Sequence, residues 1–247
     1  MKTSKDRNQS AFTLIELLVA IAVIGILAGL LLPALSGAKS RTQRMACVNK
    51  LRQWTMATLM YVEDNDGCLP REKATPGTTT WAMVAAPANM DIWFNALPQE
   101  YLGERNLRDY VADQDSFHSN ESFFQCPSAR FHPGEVDPIF SLVLNSKLNQ
   151  STNALAVMKF CLIQNEAVTV LFLDAGIPGE NKIYPAQKNY SAGLSSAWTK
   201  GLSGRHQAGA NLAFADGHVQ WFRGSELVDP ATGNNNTNKV EVRWTCP

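Results

Sequence analysis

The sequence has no excess of charge of either sign and lacks the residue spacings of several common functional sites. Its 247 residues include 22 basic and 22 acidic side chains, so the charge does not favour nucleic acid as a partner. None of its five cysteines forms a C-x-x-C pair, so the sequence lacks the spacing of zinc ribbons and of thioredoxin-like motifs. No nucleophile–base pair or spaced pair of carboxylates is evident. These absences predict a protein that is not an enzyme.

The cysteines leave their own pairing open. An odd number in an exported protein allows at most two internal disulfides and leaves one thiol over. Spacing does not decide which of them pair. The five are Cys47, Cys68, Cys126, Cys161 and Cys246.

A long apolar run lies near the N-terminus. Residues 17–35 carry no charge, and as a helix these nineteen residues span about 28 Å, close to the hydrocarbon thickness of a membrane. A secretory signal peptide has a shorter apolar stretch and a small-residue cleavage site, which the following SGAKSRTQR lacks. The run therefore predicts a membrane-spanning helix. Basic residues flank it on both sides, but most of the chain follows it, and we expect a cytoplasmic N-terminus.

One acidic residue, Glu16, lies at the entrance of this run. A carboxylate costs about 2.5–3.5 kcal/mol at the centre of a membrane and less near the interface. Glu16 therefore either reaches the headgroups or needs a positive partner. Cleavage before Phe12 would create an α-ammonium about 6 Å away along the helix. Pairing of Glu16 with the Phe12 amine of another subunit would fix the register of an assembly.

Small residues and a proline interrupt the same helix. Pro33 removes one backbone hydrogen bond and predicts a kink near residues 29–33. Gly25 and Gly29 are four residues apart, a spacing that allows close helix approach but is also common in membrane helices.

The segment AFTLIELLVAIAVIGILAGLLLPAL resembles the N-terminal segment of type IV pilins and type II secretion pseudopilins. That family has a short basic leader, a small residue and then Phe-Thr-Leu-Ile-Glu. The resemblance implies cleavage by prepilin peptidase between Ala11 and Phe12, although glycine is usual in place of Ala11. It also implies N-methylation of Phe12 and assembly with copies of the chain, other pseudopilins and an inner-membrane assembly platform.

The amphipathic pattern after the run predicts that the helix continues. Val48, Leu51, Leu59 and Val62 are spaced near the helical period, and Gly67 ends the pattern, so we expect a helix over about residues 13–63. Together with the resemblance, this divides the chain into a cytoplasmic leader (1–11), a transmembrane and polymerisation helix (12–35), an amphipathic helix (36–63) and a periplasmic head (64–247).

Residues 64–125 predict an ordered insertion rich in loops. Their composition is rich in proline and aromatic residues, with a helical candidate in DIWFNALPQEYL. Trp81, Trp93 and Phe94 favour packing onto the head, with a tryptophan-lined ligand cleft as the alternative.

Strand patterns follow in the C-terminal half. AVTVLFLDAG predicts a buried strand that ends at Asp174, and GANLAFADGHVQWF predicts a hairpin turning at Asp216-Gly217. NKVEVRW predicts an edge strand, whereas FSLVLNSKL fits a strand or the start of a helix. The predicted fold class is α+β and pilin-like, with one long helix on a small antiparallel sheet.

A second resemblance concerns His206, which is followed after nine residues by Asp216-Gly217. This element resembles that of prepilin-type processing-associated proteins, a pseudopilin-like group. The group tends to have a Cys and an Asn after the membrane helix and a later Cys-Pro, which Cys47 with Asn49 and Cys126 with Pro127 match. A disulfide between Cys47 and Cys126 is a hypothesis at this point.

The residues around the hairpin have two interpretations. His206, Asp216 and His218, with Asp174 nearby in the predicted sheet, are types that bind metals. However, Asp216-Gly217 are also the residues that a tight turn requires, and the His206 ring could bond a turn backbone across the hairpin. We expect the structural role, with no catalytic, cofactor-binding or metal-binding residues.

Calcium in the head is possible by the pseudopilin resemblance, without assigned ligands. The oxygen-rich segments EDNDG (63–67) and DPATGNNNTN (229–238) lack EF-hand spacing and equally fit turns.

Two functions compete. The favoured one is a structural subunit of a type II secretion pseudopilus or a type IV pilus-like filament, located in the inner membrane before assembly. The alternative is a membrane-anchored periplasmic binding module or metal-dependent hydrolase that uses the head. The order of residues around Phe12 favours the subunit, because a plain anchor needs only apolar character.

Overall fold

The computed structural model describes residues 14–71, 80–131, 137–145, 148, 157–180, 183, 201–227 and 241–244. The chain divides into two compact units, Met1–Thr42 and Gln43–Pro247. One long helix, α1 (Leu14–Asp64), begins in the first unit and ends in the second. The predicted helix over residues 13–63 is thus confirmed to within one residue at each end.

The described residues of the first unit all belong to α1 and include its apolar part. This part is long and apolar enough to cross a membrane. Its large side chains from Leu14 to Leu35 are exposed, and a Cβ atom added at Gly25 or Gly29 would meet nothing within 4 Å. Pro33 lies inside the helix, and the kink expected there stays a prediction.

The second part of α1 packs into the head through one stripe. The buried residues follow the helical period, since three- and four-residue steps return to the same face. The hydroxyls of Thr55 and Thr58 donate to the carbonyls four residues earlier, so that these polar side chains are buried without loss of hydrogen bonds. The buried residues are Cys47, Leu51, Trp54, Thr55, Ala57, Thr58 and Val62.

The head contains a four-stranded sheet with the order β1-β2-β3-β4, in which every neighbouring pair is antiparallel. Its strands are β1 (Leu142–Leu144), β2 (Val170–Asp174), β3 (Gly209–Phe214) and β4 (Val219–Arg223). Every residue of β1, β2 and β3 is buried, whereas β4 is largely exposed or half-buried. The α+β pilin-like fold class is therefore confirmed.

The structure confirms some of the predicted strands and contradicts one. The apolar run ending at Asp174 is β2, and the hairpin at Asp216-Gly217 joins β3 to β4, as expected. The ambiguous FSLVLNSKL segment contains β1. The predicted edge strand in NKVEVRW is not present in its described part, residues 241–244, where Arg243 forms a single parallel bridge with Thr169.

The described part of the insertion between α1 and the sheet contains several short helices joined by loops and turns. Trp81, Trp93 and Phe94 are at most 7% exposed, so the predicted packing role is confirmed and a cleft lined by these rings is wrong. The DIWFNALPQEYL segment is helical as expected, in α3 and the π-helix that follows. The helices are α2 (Trp81–Val84), α3 (Trp93–Ala96), α4 (Gln114–Phe117), 3₁₀ turns Pro87–Asn89 and Leu107–Tyr110, and the π-helix Pro98–Leu102. A further 3₁₀ turn, Phe160–Leu162, precedes β2, and α5 (Gly224–Leu227) follows β4.

Candidate functional site

The N-terminal site begins at the edge of what the structure describes. The predicted processing residues, Ala11 and Phe12, lie outside the described residues. Glu16 lies in the first turn of α1 and is exposed among apolar side chains. An acidic group at this end is favourable to the helix dipole, in addition to any role in assembly.

A buried cluster of reactive side chains lies in the head. Cys47 of α1, Cys126, Asp174 at the end of β2 and His206 place one thiol, carboxylate or imidazole atom each within 4.8 Å of one another. All four are at most 2% exposed. We call these four residues the thiol–imidazole cluster. Four chain segments that are remote in sequence thus meet at one point beneath the surface.

The contacts within the cluster are short. The Cys47 thiol donates to Asp174 Oδ1 at 2.9 Å, and Cys126 Sγ lies 3.2 Å from His206 Nε2. The same nitrogen, Nε2, lies 3.7 Å from Asp174 Oδ2. A thiol and a carboxylate therefore both lie close to one ring nitrogen.

These contacts change the acidity of the two thiols in opposite directions. Burial and the neighbouring Cys126 raise the pKa of Cys47 well above its usual range. Burial also raises the pKa of Cys126, but hydrogen bonds from Cys47 and His206 outweigh it and lower that pKa to about 5. Burial lowers the pKa of His206, but its contact with Cys126 and the charge of Asp174 outweigh burial and raise it. Both shifts favour a thiolate at Cys126 beside a protonated ring at His206.

A tight turn holds His206 in place. The Gly209 amide donates to the His206 carbonyl at 3.1 Å, and the two residues between them, Gln207 and Ala208, have φ of 56° and 55°. Two consecutive left-handed residues are typical of a type I′ turn, which usually contains Asn or Gly instead. Trp221 Nε1 donates to the same carbonyl at 2.9 Å. This unfavourable backbone conformation lies directly beside the cluster, as strain often does at functional sites.

Polar groups around the cluster fix its carboxylate and supply positive charge. Asn211 donates to Asp174 Oδ2 from its backbone at 2.9 Å and from its side chain at 2.7 Å. Arg205 is buried in a two-point ion pair with Glu180, at 2.6 and 3.1 Å, and its charge acts on Cys126. Lys50 donates to the Ser122 carbonyl at 2.7 Å.

The hypothesis of a Cys47–Cys126 disulfide has a definite outcome in the structure. Both residues are free thiols, although they lie close together in the cluster. Cys68 and Cys161 are also free, and Cys246 lies outside the described residues. The sequence resemblance thus pointed to Cys47, Cys126 and His206, which do meet, but not to Asp174 as the carboxylate that joins them.

The structure does not bring His206 and Asp216 together. His206 precedes β3, whereas Asp216 lies in the turn after it, so the six residues of β3 separate them by roughly 20 Å. Asp216 Oδ1 accepts from the His218 amide at 3.1 Å and lies 2.6 Å from His218 Nδ1. The expected bond from the His206 ring to the turn backbone is wrong, because that ring instead contacts Cys126 and Asp174.

Gly217 has the turn role that the sequence predicts. Its φ is +94°, and its amide donates to the Phe214 carbonyl at 2.9 Å. We expect Gly217→Ala to cost about 1–2 kcal/mol, since an L side chain is disfavoured at this φ. The thermal unfolding midpoint of the head should fall by about 2–8 °C in a circular dichroism melt.

Gly217→Asn is the matched comparison, because asparagine tolerates positive φ better than alanine. It should lose less stability than Gly217→Ala. Equal losses in the two variants would mean that φ is not the reason for glycine at this position.

The thiol–imidazole cluster does not have the arrangement of a catalytic triad. In a triad the carboxylate holds one ring nitrogen so that the other faces the nucleophile. Here Cys126 and Asp174 both approach Nε2, and all the atoms are buried. The geometry therefore fits a site that binds a group at His206 Nε2 better than a site for nucleophilic attack.

One of the two oxygen-rich segments lies within the described residues. In EDNDG the Gly67 amide donates to the Val62 carbonyl at 2.9 Å and ends α1, with positive φ at Asp66 and Gly67. Tyr101 Oη donates to Asp64 Oδ2 at 3.1 Å. These contacts are those of a helix end, and calcium binding there stays a prediction. The segment 229–238 lies outside the described residues.

Comparison with known proteins matches one family motif and several relatives. Residues 6–32 match the prokaryotic N-terminal methylation motif. The type IV wide pilus major component PilA4 of Thermus thermophilus is 32% identical over 118 residues, which are 40% of this chain and 90% of that protein. The type II secretion system core protein G of Klebsiella michiganensis is 29% identical over 146 residues, covering 58% of this chain and 99% of that protein.

A second core protein G, from Aeromonas hydrophila, is 40% identical over 62 residues, which are 25% of this chain and 43% of that protein. No solved structure matches the chain. The relatives' alignments together with the methylation motif and the long helix on an antiparallel sheet show that the chain belongs to the family of type IV pilins and type II secretion pseudopilins.

Proposed function

We propose that this protein is a structural subunit of a type IV pilus-like filament or a type II secretion pseudopilus. The observation that carries the proposal is the methylation motif at residues 6–32, continuous with a helix whose apolar side chains are exposed from Leu14 to Leu35. Such a surface is stable only in lipid or against other helices. A pilus subunit has lipid around this helix while it is in the membrane. After assembly, the helices of neighbouring subunits surround it instead.

In this proposal prepilin peptidase cleaves between Ala11 and Phe12, and the new Phe12 amine is methylated. The N-terminus faces the cytoplasm and the head lies in the periplasm. The leader ends at residue 11, the membrane part of the helix at residue 35 and its amphipathic part at residue 63, as the sequence predicts. An inner-membrane assembly platform and other pseudopilins are the further partners. Pro33 bends the helix during packing, and the His206…Asp216-Gly217 element shapes the head.

The mature N-terminus tests this proposal directly. Mass spectrometry of the protein from its native membrane should find N-methylated Phe12 as the first residue. A strain without prepilin peptidase should keep the leader, whose removal depends on that enzyme.

Alanine before the cut offers a matched variant. Ala11→Gly restores the usual residue and should be processed at least as completely as the natural chain. A mature protein that still begins at Met1, or that is cut after the apolar run, would contradict the proposed processing.

A further inference from the structure

We propose that Cys47, Cys126, Asp174 and His206 bind one divalent transition-metal ion, zinc by the chemistry of their donor atoms, and that this ion fastens the head half of α1 to the sheet. Two thiolates, an imidazole and a carboxylate are a donor set that zinc takes in proteins. The proposal concerns the head, and it stands whether or not the chain assembles into a filament.

The separations of the donor atoms fit a tetrahedral ion. With zinc–sulfur bonds of about 2.3 Å and zinc–nitrogen or zinc–oxygen bonds of about 2.0–2.2 Å, neighbouring donors lie about 3.4–3.8 Å apart. In the structure Cys126 Sγ lies 3.2 Å and Asp174 Oδ2 lies 3.7 Å from His206 Nε2. Cys47 Sγ lies 2.9 Å from Asp174 Oδ1. All four donor atoms lie within 4.8 Å of one another, so small side-chain shifts would bring them around one ion.

The crowding at one ring nitrogen also indicates a metal. An imidazole nitrogen has a single proton or lone pair, and it can direct this toward one partner at a time. Here Cys126 and Asp174 both approach Nε2 of His206. An ion at the common centre would satisfy the nitrogen, the sulfur and the carboxylate together.

The surroundings suit the charge of a filled site. Zinc with two thiolates and one carboxylate leaves about one unit of negative charge, which is costly to bury alone. Lys50 and Arg205 lie near enough for their positive charges to act on Cys126. Asn211 holds the Asp174 carboxylate through two hydrogen bonds, as outer groups around metal sites do.

The burial of the four residues predicts a structural ion. Catalytic zinc keeps a position for water or substrate, whereas structural zinc is surrounded by four protein ligands. All four residues here are at most 2% exposed. On binding, the ion displaces the protons that the Cys47 thiol and the His206 ring nitrogen carry, and these protons pass to the solvent.

The test is the metal content of the 247-residue chain, purified in detergent without chelator. We expect about one zinc ion per chain by plasma mass spectrometry. After chelation and reconstitution with Co²⁺, we expect the intense visible and near-ultraviolet absorption of tetrahedral cobalt with thiolate ligands. Added Zn²⁺ should raise the unfolding midpoint of the metal-free protein, because it binds the folded state.

Two cysteine variants make the test specific. Cys126→Ser should weaken zinc binding at least ten-fold and remove part of the cobalt–thiolate absorption. Cys161→Ser changes an exposed cysteine outside the cluster and should leave both unchanged. Should Cys126→Ser fail to fold, the natural chain still decides the matter through its metal content and its response to added Zn²⁺.

Two results would overturn the proposal. One is a natural chain that contains no metal and whose unfolding midpoint does not move with added Zn²⁺ or Co²⁺. The other is a Cys47–Cys126 linked peptide pair recovered from the protein of its native membrane under non-reducing conditions, since a disulfide removes both thiolate ligands.

Discussion

Replacement of Glu16 by glutamine is expected to stop filament assembly while leaving the protein in the membrane. Glutamine has nearly the same size but no charge, so it costs less in lipid than a carboxylate and does not hinder insertion. The amine at Phe12 of a neighbouring subunit would then lose its partner. Breaking such a buried pair costs about 3–5 kcal/mol, and the contact recurs at every subunit. Sheared filaments, counted by electron microscopy, should fall at least about ten-fold.

Glu63→Gln is the matched control for this experiment. Glu63 lies on the same helix, is exposed and belongs to the head unit, so the same change of charge should leave filaments unaltered. The mature N-terminus of each variant is read from the same membranes, so that a defect in cleavage is distinguished from one in assembly. Normal filament numbers with Glu16→Gln would refute the pairing of Glu16 with the neighbour's amine.

Local sequence patterns predicted the elements that residues close together in the sequence determine, such as helices and tight turns. The bounds of α1 follow from an apolar run that an amphipathic pattern continues and from Gly67, which takes the positive φ needed to end the helix. The hairpin follows from Asp216-Gly217, because the turn demands those residue types. The β1 segment stayed ambiguous because it is only three residues long and buried throughout, so alternation gave no signal.

The thiol–imidazole cluster could not be predicted in the same way. Its contacts join Cys47 to Asp174 and Cys126 to His206, pairs that are 127 and 80 residues apart. Only the antiparallel pairing of β2 with β3 brings the end of one strand beside the start of the other. Nearness in sequence favoured Asp216 as the partner of His206, whereas the sheet supplies Asp174. The usable signal was a carboxylate that ends a wholly apolar strand.

The two parts of α1 differ in what they need from their surroundings. In the first unit the apolar side chains are exposed, as suits lipid or a neighbouring helix. In the head the same helix presents a stripe of buried residues to the protein's own core. Substitutions in the two parts are therefore expected to give separable defects, in assembly for the first and in folding for the second.

Trp54→Ala is the substitution in the head part of α1 for which we expect the largest loss of stability. Trp54 is fully buried, and its ring lies 5.2–5.7 Å from four aromatic rings, those of Trp93, Phe123, Phe124 and Phe172. Its indole also donates to the Phe123 carbonyl at 3.3 Å. Truncation leaves a cavity among these rings and should cost about 3–5 kcal/mol. Since domains have only about 5–15 kcal/mol in all, much of the head's stability would be lost.

Near-ultraviolet circular dichroism of the detergent-solubilised chain measures this loss, with an expected fall in the unfolding midpoint of about 6–20 °C. Met60→Ala is the control, because Met60 lies on the same helix but is 48% exposed, and it should change stability by at most about 0.5 kcal/mol. A loss below about 1 kcal/mol for Trp54→Ala would mean that the aromatic rings do not depend on the helix for their packing. If instead the loss is large while the variant still inserts in the membrane, the head's folding depends on α1 but the membrane anchor does not depend on the head.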